Sequence, residues 1–226
     1  MQQLILAAIV FIGIHVLSST PLRPALVGKI GEKAFQAIFS AVSLVTLVWL
    51  ARAYNAAPIS DVLWAFGGWA KGLSALLVLA AALLVVGGVS TPNPAAAGGE
   101  KALAAPEPAK GVLRITRHPV MWGITLWGLA HLLANGDLAS IVFFGGLTLL
   151  ALMGPFLIDR KRQAALGETW TKYQAVTSSL PFAAIAAGRN QLKVGEIGIW
   201  RLAGGVVVYV ALYVAHAWLF GVAPHS

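Results

Sequence analysis

Arg114, Arg117 and His118 crowd into the stretch RITRHPVMWG (114–123), just before Pro119 and an apolar run rich in Trp and Gly. Two guanidiniums and an imidazole at the mouth of a hydrophobic segment suit two tasks. They mark where a helix enters a membrane, or they grip a ligand there. An arginine beside a helix start suits a carboxylate or phosphate, and a neutral imidazole is a common iron ligand. The chain has five histidines: His15, His118, His131, His216 and His225. Polar and ionisable groups inside apolar segments are costly and are functional candidates by default. Asp159, between the apolar FLI and Arg160-Lys161-Arg162, is the remaining charge at a segment edge. It pairs across the mouth with Arg117 or Arg114, or it is balanced by its own basic neighbours; the second reading is preferred. Glu32 stands in the same relation to Arg23 and Lys33. There is no cysteine, hence no thiol nucleophile, disulfide or iron–sulfur site. No H-x-x-x-H or H-E-x-x-H spacing points to a zinc hydrolase.

The elements that position these residues follow from composition. The chain is 58% hydrophobic and 11% charged, with a mean hydropathy of +0.80. Soluble domains carry about 25% charged residues, so the expected class is an all-α, polytopic membrane bundle. Six apolar spans are expected, at about residues 3–17, 34–53, 67–89, 119–135, 138–158 and 197–221. MQQLILAAIVFIGIHVLSS has no leading positive charge and is read as a retained first helix rather than a cleaved signal. Arg23, Lys29 and Lys33, then Lys101, Lys110, Arg114 and Arg117, then Arg160, Lys161, Arg162, Lys172, Arg189 and Lys193 fall in alternate connections. The positive-inside rule places those connections in the cytoplasm and both termini outside, in a multi-pass protein of a bacterial inner membrane. The net charge of +8 is assigned to this bias and not to nucleic-acid binding. Trp49, Trp64 and Trp218 fall at the outer boundary, Trp122 and Trp200 at the inner one.

Residues 91–111, rich in Ala, Pro and Gly, read as a mobile linker. The segment 159–196 reads as cytoplasmic or interfacial. Within it, 159–182 forms an amphipathic surface helix with Trp170 and Tyr173 as interfacial contacts. Gly154-Pro155 is expected to kink the fifth span, and Gly145-Gly146 to admit a close neighbour. On this topology His15 and His118 share the inner level. His131 lies about 20 Å further out at ~1.5 Å per residue, level with His216, and His225 sits in an exposed tail. A pair of histidines at one depth suits the axial ligands of a haem, or else each bonds a neighbouring helix.

IHVLSSTPLR (14–23), IGEKAFQAIFSAVSLVTLVWLARAY (30–54) and RITRHPVMWGITLWGLAHLLANGD (114–137), in this order, resemble the NnrU family across almost the whole chain. The family is associated with nitrite and nitric oxide metabolism in denitrifying bacteria. It also includes plant zeta-carotene isomerases, haem b membrane enzymes that isomerise a cis double bond. The resemblance implies haem b and an apolar small-molecule substrate taken from the bilayer. It implies His15 and His118 as metal ligands, or His131 in place of His118. The C-terminal half, through RHPVMWG, Asp159, GETWTKYQ (167–174) and Pro181, is similar to isoprenylcysteine methyltransferase-like proteins. That similarity implies S-adenosylmethionine near Arg117 and His118. Here three basic residues follow Asp159 in place of a second acid, and no second tyrosine follows Tyr173. Three functions are carried forward: a haem protein of redox or isomerase type, a methyltransferase-like enzyme, and a non-enzymatic assembly factor for a respiratory complex.

Overall fold

The computed structural model describes residues 1–20 and 22–224; His225 lies outside them. All regular structure among the described residues is helical. The N-terminal part comprises α1 (Gln2–Leu17), α2 (Leu22–Ile30), α3 (Glu32–Asn55) and α4 (Gly68–Ser90). Short turns at Glu100–Ala104 and Gly111–Arg114 lead to α5 (Pro119–Ala134) and α6 (Leu138–Leu166). The chain ends in α7 (Glu168–Val176), α8 (Ala183–Ala186), α9 (Val194–Ile197) and α10 (Ile199–Phe220).

Four helices are long and apolar enough to cross a membrane: α3, α4, α6 and α10. A fifth span arises if α1 and α2, bent by 75°, count together. Six were expected. The difference lies in α1 and α5, each of 16 residues. At ~1.5 Å per residue they reach about 24 Å, short of a hydrocarbon core of about 30 Å. Val207 and Val214 of α10 are 65% and 76% exposed, and Leu76 of α4 is 65% exposed. Apolar faces of this extent need lipid rather than water. The protein is a helical membrane protein.

Two packing regimes build the bundle. One apolar core joins Leu4, Ala7 and Phe11 of α1 to Leu50 and Ala53 of α3 and to Ala139, Phe143 and Phe144 of α6. The other is a glycine seam. Gly123 of α5 lies so close to α4 that a Cβ there would sit 2.5 Å from Val85 and 3.0 Å from the Ala81 carbonyl oxygen. Small residues admit this backbone approach, which is how helices associate where lipid removes the hydrophobic drive. Gly146 meets Ile12 of α1 as the glycine pair predicts.

The helix ends follow local rules. Pro119 takes the first position of α5, where its missing N–H costs nothing. Asp137 caps α6 by accepting from the Ser140 amide at 3.0 Å and the Ser140 hydroxyl at 2.6 Å. A wider π turn occupies Ile141–Gly145, and α6 then runs on through Pro155 to Leu166. The irregularity thus precedes the Gly154-Pro155 step at which a kink was expected.

The connections are more ordered than their composition suggests. Within 91–111, expected as a linker, Asn93, Pro94, Ala95 and Ala109 are buried. Ala95 and Ala109 pack on Trp170 and Tyr173 of α7. Trp170 and Tyr173 are therefore interior residues and not interfacial anchors. Trp64 and Trp122 are pinned rather than free in a belt: their indoles donate to the Leu132 and Ser179 carbonyls at 2.8 and 2.7 Å. Trp200 and Trp218 are exposed, whereas Trp49 packs against the apolar core.

Candidate functional site

The segment 114–118 is stitched to 178–182 before any side-chain chemistry begins. The Arg117 amide donates to the Ser178 carbonyl at 3.0 Å, and the Phe182 amide to the Ile115 carbonyl at 2.8 Å. The Thr116 hydroxyl donates to the Ser179 carbonyl at 2.6 Å. From this fixed backbone the two arginines reach different partners. Arg117 turns to α6, where its Nη2 donates to Asp159 at 2.5 Å and its Nε spans both carboxylate oxygens at 3.0 and 3.1 Å. His118 donates from Nε2 to Asp159 Oδ1 at 2.8 Å. Asp159 thus pairs across the mouth, in place of the preferred reading that its own basic neighbours balance it. Glu32 pairs with Arg23.

Arg114 is buried rather than set among headgroups. Its Nε and Nη2 donate to Glu196 at 2.7 and 2.9 Å, Nη2 also to Glu107 at 2.7 Å, and Nη1 to Asn190 at 2.7 Å. Those hydrogen bonds push the Glu196 carboxyl down to about 2. Glu107 is held below its ordinary range for the same reason. Sequence reading assigned Arg114 to membrane anchoring. A signal was present: a chain with only eight acids places Glu107 seven residues before Arg114.

Beside these ion pairs lie two cavities. One, of about 230 Å3, is lined by Trp122, Thr125, Leu152, Pro155, Phe156 and Asp159 among others. The second, of about 450 Å3, is lined by Glu107, Arg114, Lys172, Tyr173, Arg189 and Asn190 among others. The Tyr173 hydroxyl and the Trp170 indole N–H are buried without a hydrogen-bond partner. Burial pushes the Tyr173 phenol well above its usual range, and Arg117 and Asp159 lie within electrostatic reach of it.

The other histidines sit apart from this node. His15 donates from Nδ1 to the Phe11 carbonyl at 2.7 Å and packs between Phe11 and Phe39. His131 donates from Nδ1 to the Trp127 carbonyl at 2.8 Å and packs on Trp127 and Phe144. His216 donates from Nδ1 to the Val222 carbonyl at 2.7 Å. No hydrogen bond or ring contact among the described residues joins His15 to His118. These residues differ as iron ligands. A ligating imidazole usually spends its second nitrogen on a carbonyl or carboxylate, which orients the ring. His15 and His131 meet that condition with Nε2 left as the lone-pair nitrogen. His118 meets it through the Asp159 carboxylate, with Nδ1 as the remaining nitrogen, but its side chain is buried within the Arg117–Asp159 ion pair.

A family model described as NnrU protein matches residues 3–224. The chloroplastic 15-cis-zeta-carotene isomerases of Zea mays and Arabidopsis thaliana are each 40% identical to the chain over 82 residues. That stretch is 36% of this chain and 22% of each relative, so the match spans about a fifth of those proteins' own length. No solved structure matches. A helical membrane architecture, and a family match running from residue 3 to residue 224, place the chain in the NnrU protein family.

Proposed function

We propose that this protein is a membrane isomerase for an isoprenoid polyene that takes up haem b, with His15 and His131 each offering an open Nε2 as a candidate ligand. The observation that carries the reading is the 40% identity, over 82 residues, to two 15-cis-zeta-carotene isomerases, within an NnrU match over residues 3–224. Support comes from the two histidines whose Nδ1 is anchored and whose Nε2 is open. When bound, a haem supplies an iron centre whose reactivity follows its axial ligands and the polarity of its pocket. The chain's own part is to fix tautomer and ring orientation through the Phe11 and Trp127 carbonyls. Phe39, Phe144 and Trp127 surround the imidazoles with apolar surface that excludes water. The setting we propose is a bacterial inner membrane with the basic connections inside. Any link to nitrogen-oxide metabolism rests on the family resemblance, with no residue of the site specific to it.

The test is optical. Protein purified in detergent from haem-replete cells is expected to show a Soret band that shifts on reduction. His15→Ala and His131→Ala should each abolish or shift it, whereas His118→Ala should keep it. A colourless, folded wild type overturns the reading. Incubation of the reduced protein with 15-cis-zeta-carotene, followed by chromatography of the isomers, tests the activity.

A second reading, an enzyme using S-adenosylmethionine, is favoured by one observation. The unpartnered Tyr173 hydroxyl lies beside the Arg117–Asp159–His118 node, and Tyr173 lines the larger cavity. Calorimetric titration with S-adenosylmethionine decides it; no heat from folded protein removes it.

A further inference from the structure

The connection between α3 and α4, residues 56–67, lies outside every span and holds no helix, yet its surface is apolar. Ile59, Val62 and Leu63 are 85%, 58% and 66% exposed, and Phe66 and Trp69 are exposed beside them. Asp61 is the one charged residue between Arg52 and Lys71. A contiguous apolar surface of this kind marks contact with something other than water.

The connection is tied down. The Leu63 amide donates to the Gly136 carbonyl at 2.9 Å, and the Leu138 amide to the Ser60 carbonyl at 3.4 Å. The Trp64 indole donates to the Leu132 carbonyl at 2.8 Å. Only glycine fits at 136, because a Cβ there would sit 2.0 Å from the Trp64 carbonyl oxygen. These ties lay the connection across the turn between α5 and α6. They hold Trp64 inward and leave Ile59, Val62 and Leu63 on the outer side. Phe66 lies between Trp64 and Trp69, with ring centroids at 6.5 and 5.5 Å.

The same ties fix its depth. Arg117 stands just before one end of α5, and the ties fall at the other end of its 16 residues. At ~1.5 Å per residue that is about 24 Å, inside a hydrocarbon core of about 30 Å. Val48 of α3 and Leu73 and Leu76 of α4 are exposed as well, so the apolar surface runs on into the lipid-facing helices. Irregular backbone is not tolerated bare in hydrocarbon. Here the turn satisfies part of it, and a place at the membrane–water boundary leaves the rest to water. Aromatic side chains favour that level. Depth and continuity both name lipid, rather than a protein partner, as what covers this face.

We infer that residues 56–69 dip into the leaflet at the C-terminal end of α5, placing Ile59, Val62, Leu63, Phe66 and Trp69 among acyl chains. The insertion fills the thickness that the short α5 leaves open, and it holds whether or not haem is bound.

The chain has no cysteine, so single-cysteine variants carry one spin label each. In liposomes of phosphatidylcholine and phosphatidylglycerol, collision with oxygen, which concentrates in lipid, is compared with collision with a nickel chelate, which stays in water. Labels at Ile59→Cys, Val62→Cys and Phe66→Cys are expected to give an oxygen-to-nickel ratio several times that at Asp61→Cys. Ratios equal to the Asp61→Cys value place the connection in water and overturn the proposal. So do labels shielded from both reagents and broadened by the label of a second copy, which would make this face a contact between copies. The unmodified protein supplies a check that no folding defect can blur. Photolysis with a phospholipid carrying a diazirine in its acyl chain should label residues 56–69 as strongly as α3 and α10. Labelling of those helices with none in 56–69 overturns the proposal. Haem content has no bearing on either measurement and reports separately on the isomerase reading.

Discussion

The polar cap formed by residues 91–118 and 159–198 and the helical bundle it sits on solve opposite problems. In the cap, Arg114, Arg117 and Arg162 are all buried, and each finds a carboxylate: Glu196 and Glu107, Asp159, and Glu100. In the bundle, three buried hydroxyls turn to helix carbonyls. Thr125 and Thr148 bond one turn back along their own helices, and Ser74 reaches across to Ala130 at 2.8 Å. Shape and small residues place the spans, while paired charge places the cap. An ion pair tolerates no sliding, because a misplaced segment leaves a buried charge alone. A glycine seam tolerates it only until a Cβ intervenes. Of the residues fixed by charge, Asp159 borders one cavity and Arg114 and Glu107 border the other.

The largest effect should come from breaking the cap at Asp159. Asp159→Ala strands Arg117, whose side chain is 9% exposed, together with the buried His118. Loss of one partner from a buried pair costs about 3–5 kcal/mol. A thermal or denaturant unfolding curve in detergent measures it. A cost near zero would mean that the cap is not held by charge. The counterpart in the bundle is Gly123→Ala, where the added carbon overlaps Val85 and crowds the Ala81 carbonyl. Overpacking of this kind costs about 1–3 kcal/mol, read from the same curves. If Gly123→Ala proves the more damaging of the two, the contrast between the regions is reversed.

A smaller effect is expected from acid. Arg114 holds the Glu196 carboxyl at about 2 against an ordinary value of 4.5. A depressed carboxyl pKa gives stability that is complete above the unfolded value and fades as pH falls toward the folded one. The clamp on 107–114 and 190–196 should therefore hold above about pH 5 and loosen between there and pH 2. Glu196→Gln should flatten that part of the profile. Protease cleavage within 91–113, followed against pH, reads it; matching profiles for wild type and variant would remove Glu196 from the account.

Hydrophobic runs and charge spacing by themselves determined the class, the four long apolar helices and the start of α5 at Pro119. These are local properties: an apolar run has no alternative to a helix in lipid, and proline at a first helical position needs no partner. The same local logic marked Arg117, His118 and Asp159 as residues of interest. It left open which of them meet, because Arg117 and Asp159 stand 42 residues apart and their encounter depends on how α5 and α6 cross. Only the tertiary structure decided that Arg114 is an interior clamp, that 91–111 folds onto Trp170 and Tyr173, and that His118 bonds a distant carboxylate while His15 and His131 bond carbonyls of their own helices. Each of those outcomes turns on burial and on a partner distant in sequence, and a polar residue's neighbours in the chain do not encode either.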